Sequence, residues 1–184
     1  MANTINLRDV ITEQAVAQGV DPSIALAVAQ TESRTSQWTP TGNLVTSPQG
    51  ALGIFQLMPA TAAALGVDPT DVNQNIQGGI TYLKQLYAKY GDWTTALAAY
   101  NFGPGNVDSG KSWPAETLNY VKSILGIGAN YAAGLAQVAQ NAVSGSPPGL
   151  SVGDIETSVS GLSPGVIAVA GLVGVGLLAW YLSD

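Results

Sequence analysis

A single acid, Glu32, ends an apolar helical segment. Ile24, Val28 and Glu32 recur at intervals of four residues, so the stripe that should face the core carries a carboxyl group. Burial disfavours the charged form of such a group and raises its pKa toward the range of a general acid. A frayed, solvated helix end is the alternative, and this helix taken alone favours that alternative.

The composition limits the chemistry to carboxylates, hydroxyls, amides, lysine, arginine and tyrosine. The chain has 184 residues with no His and no Cys, which excludes His-based triads, Cys nucleophiles, disulfides and Cys/His zinc sites. The net charge is -6, and no basic run exists to neutralise phosphates. Nucleic acid is therefore not an expected partner.

The helices that position Glu32 are predicted from periodicity and end signals. A first helix carries Leu7 and Ile11 on one face, and Gly19 ends it. Asp21 caps the helix that leads to Glu32, with Pro22 at its first position.

Later helices follow the same kind of pattern, and strand alternation is hardly visible except around Leu52 to Phe55. Gly91 ends one apolar stripe, Asp92 caps the next helix, and Pro114 opens the last one. The predicted stripes contain Ile76, Ile80, Leu83, Tyr87 and Tyr90, and then Leu118, Val121 and Leu125. The fold is expected to be mainly α.

The C-terminal part of the chain differs in composition. Residues 126–164 are rich in Ala, Gly, Ser and Pro, which predicts a flexible linker that is partly helical at most. Residues 165–182 carry no charge and are long enough, at about 27 Å as a helix, to span a membrane. A buried C-terminal helix is the alternative. The N-terminus has no signal-peptide pattern.

Several motifs between Leu7 and Leu125 occur in the order found in a known family. Glu32-Ser33 is followed by "GALGIFQLMPATAAALG", "NIQGGITYL", "ALAAYNFGPGNV" and "ETLNYVKSIL". This region resembles the soluble lytic transglycosylase family, goose-type-lysozyme-like enzymes that cleave peptidoglycan. The resemblance implies a lysozyme-like helical catalytic domain over residues 1–125. Departures at Arg34 and Thr35, where the family commonly has Phe, and "IFQ" in place of "LMQ" leave the shape of one groove wall open.

The resemblance also implies a role for each matching residue. Glu32 matches the single catalytic acid. The residues that match positions beside the acid, along the saccharide groove or at its edge are Ser33, Ser47, Gln56, Met58, Tyr100, Asn101, Glu116 and Tyr120.

A plainer interpretation exists for several of these residues. Gln56 could only satisfy buried backbone, and Tyr100 and Met58 could only pack. Glu116 could be an acid favoured by a helix N-terminus. For Tyr120, core and cleft positions are equally open.

The expected reaction needs one carboxylate, because a 2-acetamido sugar can attack its own anomeric carbon. The hypothesis is non-hydrolytic cleavage of the MurNAc-GlcNAc β-1,4 bond to 1,6-anhydroMurNAc ends, with no metal and no cofactor. A lysozyme-like hydrolase using Asp68 or Asp71 is one alternative, although helix capping explains both residues. A glycan-binding or structural membrane protein with an idle site is another.

The expected partners are peptidoglycan glycan strands and a lipid membrane. A wall-cutting domain with a membrane span and no signal peptide suggests a bacteriophage particle, where other virion proteins would be neighbours. A place in the bacterial cell envelope is the alternative.

Overall fold

The computed structural model describes residues 6–144. This part of the chain is mainly helical, as predicted. Its helices are α1 (Leu7–Gln18), α2 (Pro22–Ser33), α3 (Pro59–Leu65), α4 (Val72–Tyr90), α5 (Trp93–Phe102), α6 (Pro104–Asp108) and α7 (Ala115–Ser144).

The predicted helix ends are confirmed where the end signal is local. Gly19, with φ of 70°, ends α1, and Gly91 ends α4 in the same left-handed conformation. Asp21 begins α2 by accepting a 2.8 Å hydrogen bond from the N–H of Ser23. Asp92 caps α5 in the same way, through the N–H of Thr95. Each signal acts on backbone groups within one helical turn, so it does not depend on the rest of the fold.

Helix α2 is the centre of the domain. Every residue from Ser23 to Ala29 is buried, because α2 packs against both α1 and α7. Helix α5 packs against α4 and α7 and closes the other side of the core. The apolar stripe that ends on Glu32 therefore lies inside the molecule, with Ile24 and Val28 at 5% and 0% exposure.

The predicted apolar stripe of α7 is wrong at two of its three positions. Leu118 and Leu125 are exposed, whereas the buried face carries Tyr120, Val121 and Ile124. Spacing alone permitted both faces, and packing against α2 and α5 selects the one that includes Tyr120. On α4 the stripe is wrong at Tyr87, which is exposed.

Helix α7 does not end near Leu125. It continues to Ser144, and its second half contacts α1 through a 2.6 Å hydrogen bond from Arg8 Nη1 to the Tyr131 hydroxyl. Residues 126–144 are thus helical, so part of the predicted linker is a continuation of α7.

The predicted membrane segment, residues 165–182, lies outside the described residues. Within residues 6–144, no helix is both long enough and apolar enough to cross a membrane.

Candidate active site

Glu32 lies in the last turn of α2 and is partly buried. Its Oε1 accepts a 2.5 Å hydrogen bond from the hydroxyl of Tyr120 on α7. Loss of hydration raises the pKa of Glu32 from 4.5 to about 7, and the hydrogen bond from Tyr120 offsets part of this rise. Near neutral pH, the group is therefore divided between its acid and its carboxylate forms.

The helix end that carries Glu32 is ordered by hydrogen bonds rather than frayed. Arg34 and Thr35 adopt left-handed φ values of 57° and 60°, and their N–H groups donate to the carbonyls of Gln30 and Ala29. The side chain of Thr35 also donates to Gln30 Oε1 at 3.1 Å. Left-handed backbone is costly for a β-branched residue, so these bonds maintain a strained conformation directly after the acid.

Ser33 and Tyr100 both bind the backbone turn at residues 52–57. Ser33 Oγ donates to the carbonyl of Ile54 at 2.8 Å, and the Tyr100 hydroxyl donates to that of Phe55 at 2.7 Å. Burial raises the pKa of Tyr100, and the charge of Glu32 raises it further. Tyr100 therefore lies within electrostatic reach of the acid, as does Tyr120, whose pKa is raised for the same reasons.

Asn101 is exposed beside this group. Its Oδ1 accepts a 2.8 Å hydrogen bond from Thr117 Oγ1, and Thr117 is buried one helical turn before Tyr120. Thr117 was not singled out in the sequence, although it lies in the "ETLNY" motif at the i, i+3 spacing that puts it on the face of Tyr120.

Gln56 and Ser47 bind backbone in this structure. Gln56 has φ of 48°, and its Nε2 donates to the carbonyls of Gly53 and Val45 at 2.7 and 3.3 Å. Ser47 Oγ accepts from the N–H of Ala51 at 3.0 Å. The backbone-satisfying interpretation of Gln56 thus describes its contacts here.

Met58 and Glu116 are both exposed. Met58 does not take the packed position that was considered for it, because 43% of its surface is exposed. Glu116 stands in the first turn of α7, where an acid interacts favourably with the helix dipole. No hydrogen bond in the described part of the chain joins either residue to Glu32.

The two aspartates considered as second carboxylates bind backbone in the turn before α4, and only Asp71 caps the helix. Asp71 accepts from the N–H of Gln74 at the start of α4, and Asp68 accepts from Thr70. Neither residue is among the causes of the pKa shift of Glu32, and nor is any other carboxylate. No cluster of acidic side chains suited to a metal ion occurs among residues 6–144.

Three further residues of the site were given no role from the sequence, although two of them, Asn75 and Tyr82, lie in the motif "NIQGGITYL". Tyr82 on α4 packs against Tyr100 with ring centroids 5.3 Å apart. Gln37 and Asn75 are buried amides that accept hydrogen bonds from the N–H groups of Ile54 and Phe55 in the turn at residues 52–57. Long-range contacts of this kind carry no periodic signal.

A helical domain that holds one acid of near-neutral pKa beside tyrosine hydroxyls defines a candidate acid–base enzyme. The family model described as "Transglycosylase SLT domain" matches residues 9–119. The chain belongs to this family.

Known relatives include phage and bacterial proteins. The chain is 35% identical over 130 residues to the transglycosylase of Enterobacteria phage PRD1. The matched region covers 68% of this chain and 47% of the phage protein. It is 40% identical over 100 residues to membrane-bound lytic murein transglycosylase F of Serratia proteamaculans, covering 50% of this chain and 19% of that protein. The chain thus spans less than half of the length of either relative.

The fold agrees with a solved enzyme structure. The 70 kDa soluble lytic transglycosylase SLT70 from Escherichia coli matches with a TM-score of 0.58 and 30% sequence identity. The match covers 66% of this chain and 23% of that one. The predicted fold class, a helical domain of the lysozyme-like transglycosylase type, is confirmed.

Proposed function

We propose that this chain is a peptidoglycan lytic transglycosylase that cleaves the MurNAc-GlcNAc β-1,4 bond and leaves 1,6-anhydroMurNAc ends. The observation that carries the proposal is Glu32, an acid with a pKa of about 7 on which no second carboxylate acts among the described residues. A group with this pKa can donate a proton and accept one at the same pH. The names of the phage and murein relatives support the same reaction.

In the proposed reaction Glu32 acts twice. Protonated Glu32 first gives its proton to the glycosidic oxygen, and the bond from that oxygen to C1 of the MurNAc ring breaks as the 2-acetamido oxygen attacks C1. The carboxylate then takes the proton of the C6 hydroxyl of the same ring. O6 bonds to C1 and displaces the acetamido oxygen, so Glu32 is protonated again and no water is consumed.

Tyr100 and Asn101 are proposed to orient the acetamido group. Thr117 donates its hydrogen bond to Oδ1 of Asn101, which fixes the orientation of the amide. Because Asn101 is exposed, its Nδ2 is proposed to face the substrate. Tyr120 is proposed to hold the Glu32 carboxyl group in one orientation through its 2.5 Å hydrogen bond.

The remaining predicted site residues divide by their contacts. Met58 and Glu116 are exposed and are proposed to border the saccharide site. Ser33, Ser47 and Gln56 bond to backbone and are proposed to shape that site.

The proposed setting is a cell wall approached from a membrane. Similarity to a phage protein and to membrane-bound murein enzymes fits a phage particle or a bacterial envelope. We favour a virion-associated enzyme anchored by residues 165–182. Proteomics of purified particles tests this setting, since detection only in uninfected cells would exclude it.

Mass analysis of digested peptidoglycan tests the reaction. We expect products lighter by one water than those of hydrolysis, with no new reducing ends, and no products from Glu32→Gln. Reducing ends would identify a hydrolase instead. A parent protein that binds glycan strands without cutting them would point to a binding role.

A further inference from the structure

We infer that Gln37 and Asn75 are positioning residues for the acid of the proposed reaction, acting through the backbone turn at residues 52–57. Both amide side chains are buried, with 1% and 0% exposure. They bind the N–H groups of the same two residues, Ile54 and Phe55, whose carbonyls accept from Ser33 and Tyr100. This inference rests on the proposed function only for its kinetic consequence, because the contacts stand without it.

Two consecutive residues of the turn are each held from both sides. The N–H of Ile54 donates to Gln37 Oε1 at 2.7 Å, while its carbonyl accepts from Ser33 Oγ at 2.8 Å. The N–H of Phe55 donates to Asn75 Oδ1 at 2.9 Å, while its carbonyl accepts from the Tyr100 hydroxyl at 2.7 Å. Each amide is thus linked, through one peptide residue, to a hydroxyl group beside Glu32.

The other end of each amide is tied to a second loop. Gln37 Nε2 donates to the carbonyls of Pro69 and Thr70 at 3.1 and 3.2 Å. Asn75 Nδ2 donates to the carbonyls of Pro69 and Leu52, each at 2.8 Å. Buried amides with bonds on both the oxygen and the nitrogen have one favoured orientation, so they hold the turn at a defined distance from the loop before α4.

The turn is in close contact with its neighbours at two glycines. A Cβ atom at Gly53 would lie 2.5 Å from Gln37 Oε1, and it would also overlap Asn75 Nδ2. Gly79 of α4 lies so close to the ring of Phe55 that a Cβ atom there would overlap it. The amides and the two glycines together fix the carbonyls of Ile54 and Phe55.

Movement of this turn would change the surroundings of Glu32. Ser33 is its chain neighbour, and Tyr100 forms part of its electrostatic environment. Loss of either amide would loosen both hydroxyls and let water reach the acid. Access of water would lower the pKa of Glu32, so a smaller fraction of the acid would be protonated at neutral pH, and the acid would also be less well aligned with the substrate.

The test uses Gln37→Met, which keeps the length of the side chain and removes its hydrogen bonds. On soluble glycan strands, we expect kcat to fall on the order of 10- to 100-fold with a smaller change in KM. The alkaline limb of the pH profile should move to lower pH, and the carboxyl resonance of ¹³C-labelled Glu32 should titrate at lower pH as well. Gln37→Asn shortens the side chain by one methylene and so withdraws the amide from its partners. It should change kcat, the alkaline limb and the Glu32 titration in the same direction as Gln37→Met but by less. This variant replaces Gln37→Met in the test if Gln37→Met does not fold.

The control is Ser23→Ala, which removes a buried hydroxyl at the far end of α2. It should lower stability without moving the titration of Glu32. If the Gln37 variants only lower stability, and kcat and the Glu32 titration stay at the parent values, the inference is wrong. If the parent protein does not cut glycan strands while the Glu32 titration still moves, the proposed function fails and the positioning role stands.

Discussion

The hydroxyl of Tyr120 on α7 donates a 2.5 Å hydrogen bond to Oε1 of Glu32 at the end of α2. The two residues are 88 positions apart in the chain, and α2 and α7 pack directly against each other. A tyrosine hydroxyl at this distance stabilises the carboxylate, so it limits how far burial raises the pKa of the acid. The site thus balances desolvation against one hydrogen bond.

This balance predicts the pH dependence of the enzyme. With a Glu32 pKa of about 7, kcat/KM on soluble glycan strands should fall about tenfold for each pH unit well above 7, because only the protonated acid can begin the reaction. A second limb at low pH would indicate a second ionised group and would favour the hydrolase alternative.

Tyr120→Phe should move that alkaline limb to higher pH. The substitution removes the hydrogen bond that lowers the pKa of Glu32 and keeps the ring that excludes water. Its matched control is Tyr87→Phe, which removes a hydroxyl from an exposed residue and should leave the profile unchanged. A limb that stays in place in Tyr120→Phe would mean that the short hydrogen bond does not form in solution.

The raised pKa of Glu32 also predicts a stability effect. Between about pH 4.5 and 7, Glu32 binds more protons in the folded state than in the unfolded state, so its contribution to stability falls as pH rises and is lowest above 7. Glu32→Gln keeps an oxygen for Tyr120 and has no charge to bury. At pH 8.5 its free energy of unfolding should exceed that of the parent by up to about 3 kcal/mol. At pH 4 the two free energies of unfolding should be equal.

Urea unfolding at both pH values measures this effect. Glu116→Gln is the matched control, because it removes an exposed acid from the first turn of α7. It should change stability little or lower it, since an acid near a helix N-terminus is favourable. Equal gains in both variants would show that net charge, rather than burial of Glu32, is the cause.

How far the sequence predicts this molecule depends on the range of each interaction. Gly19, Asp21 and Asp92 act within one helical turn, and their effects were predicted. The buried face of α7 was not predicted, because the exposed Leu118 and Leu125 have a helical spacing that is also typical of buried residues. The roles of Gln37 and of Asn75, which begins the quoted motif "NIQGGITYL", were missed because the residues that they bind lie 17 and 20 positions away, at distances that no helical or strand period connects.

The close approach of α4 to the turn predicts opposite effects for two Gly→Ala substitutions. At Gly79 a methyl group would overlap the ring of buried Phe55, so Gly79→Ala should lower the free energy of unfolding by about 1–3 kcal/mol or more. At Gly126, in α7, nothing lies within 4 Å of the added atom, and Ala should raise stability by up to about 1 kcal/mol. Thermal unfolding of the two variants measures whether each substitution lowers or raises stability. A Gly79→Ala variant as stable as the parent would mean that the Phe55 ring can pack in another position.

The length of α7 predicts that a chain ending after Leu125 is incomplete as a folding unit. Beyond that point Gly128 packs near Ile24 and Ser23 of α2, and Tyr131 accepts the 2.6 Å hydrogen bond from Arg8. A chain ending at Leu125 should therefore have a lower Tm than one ending at Ser144. Tyr131→Phe in the longer chain should lose about 1 kcal/mol, because a hydrogen bond from a charged donor is removed at a partly exposed site. Equal Tm values for the two chain lengths would instead support the domain boundary that composition suggested.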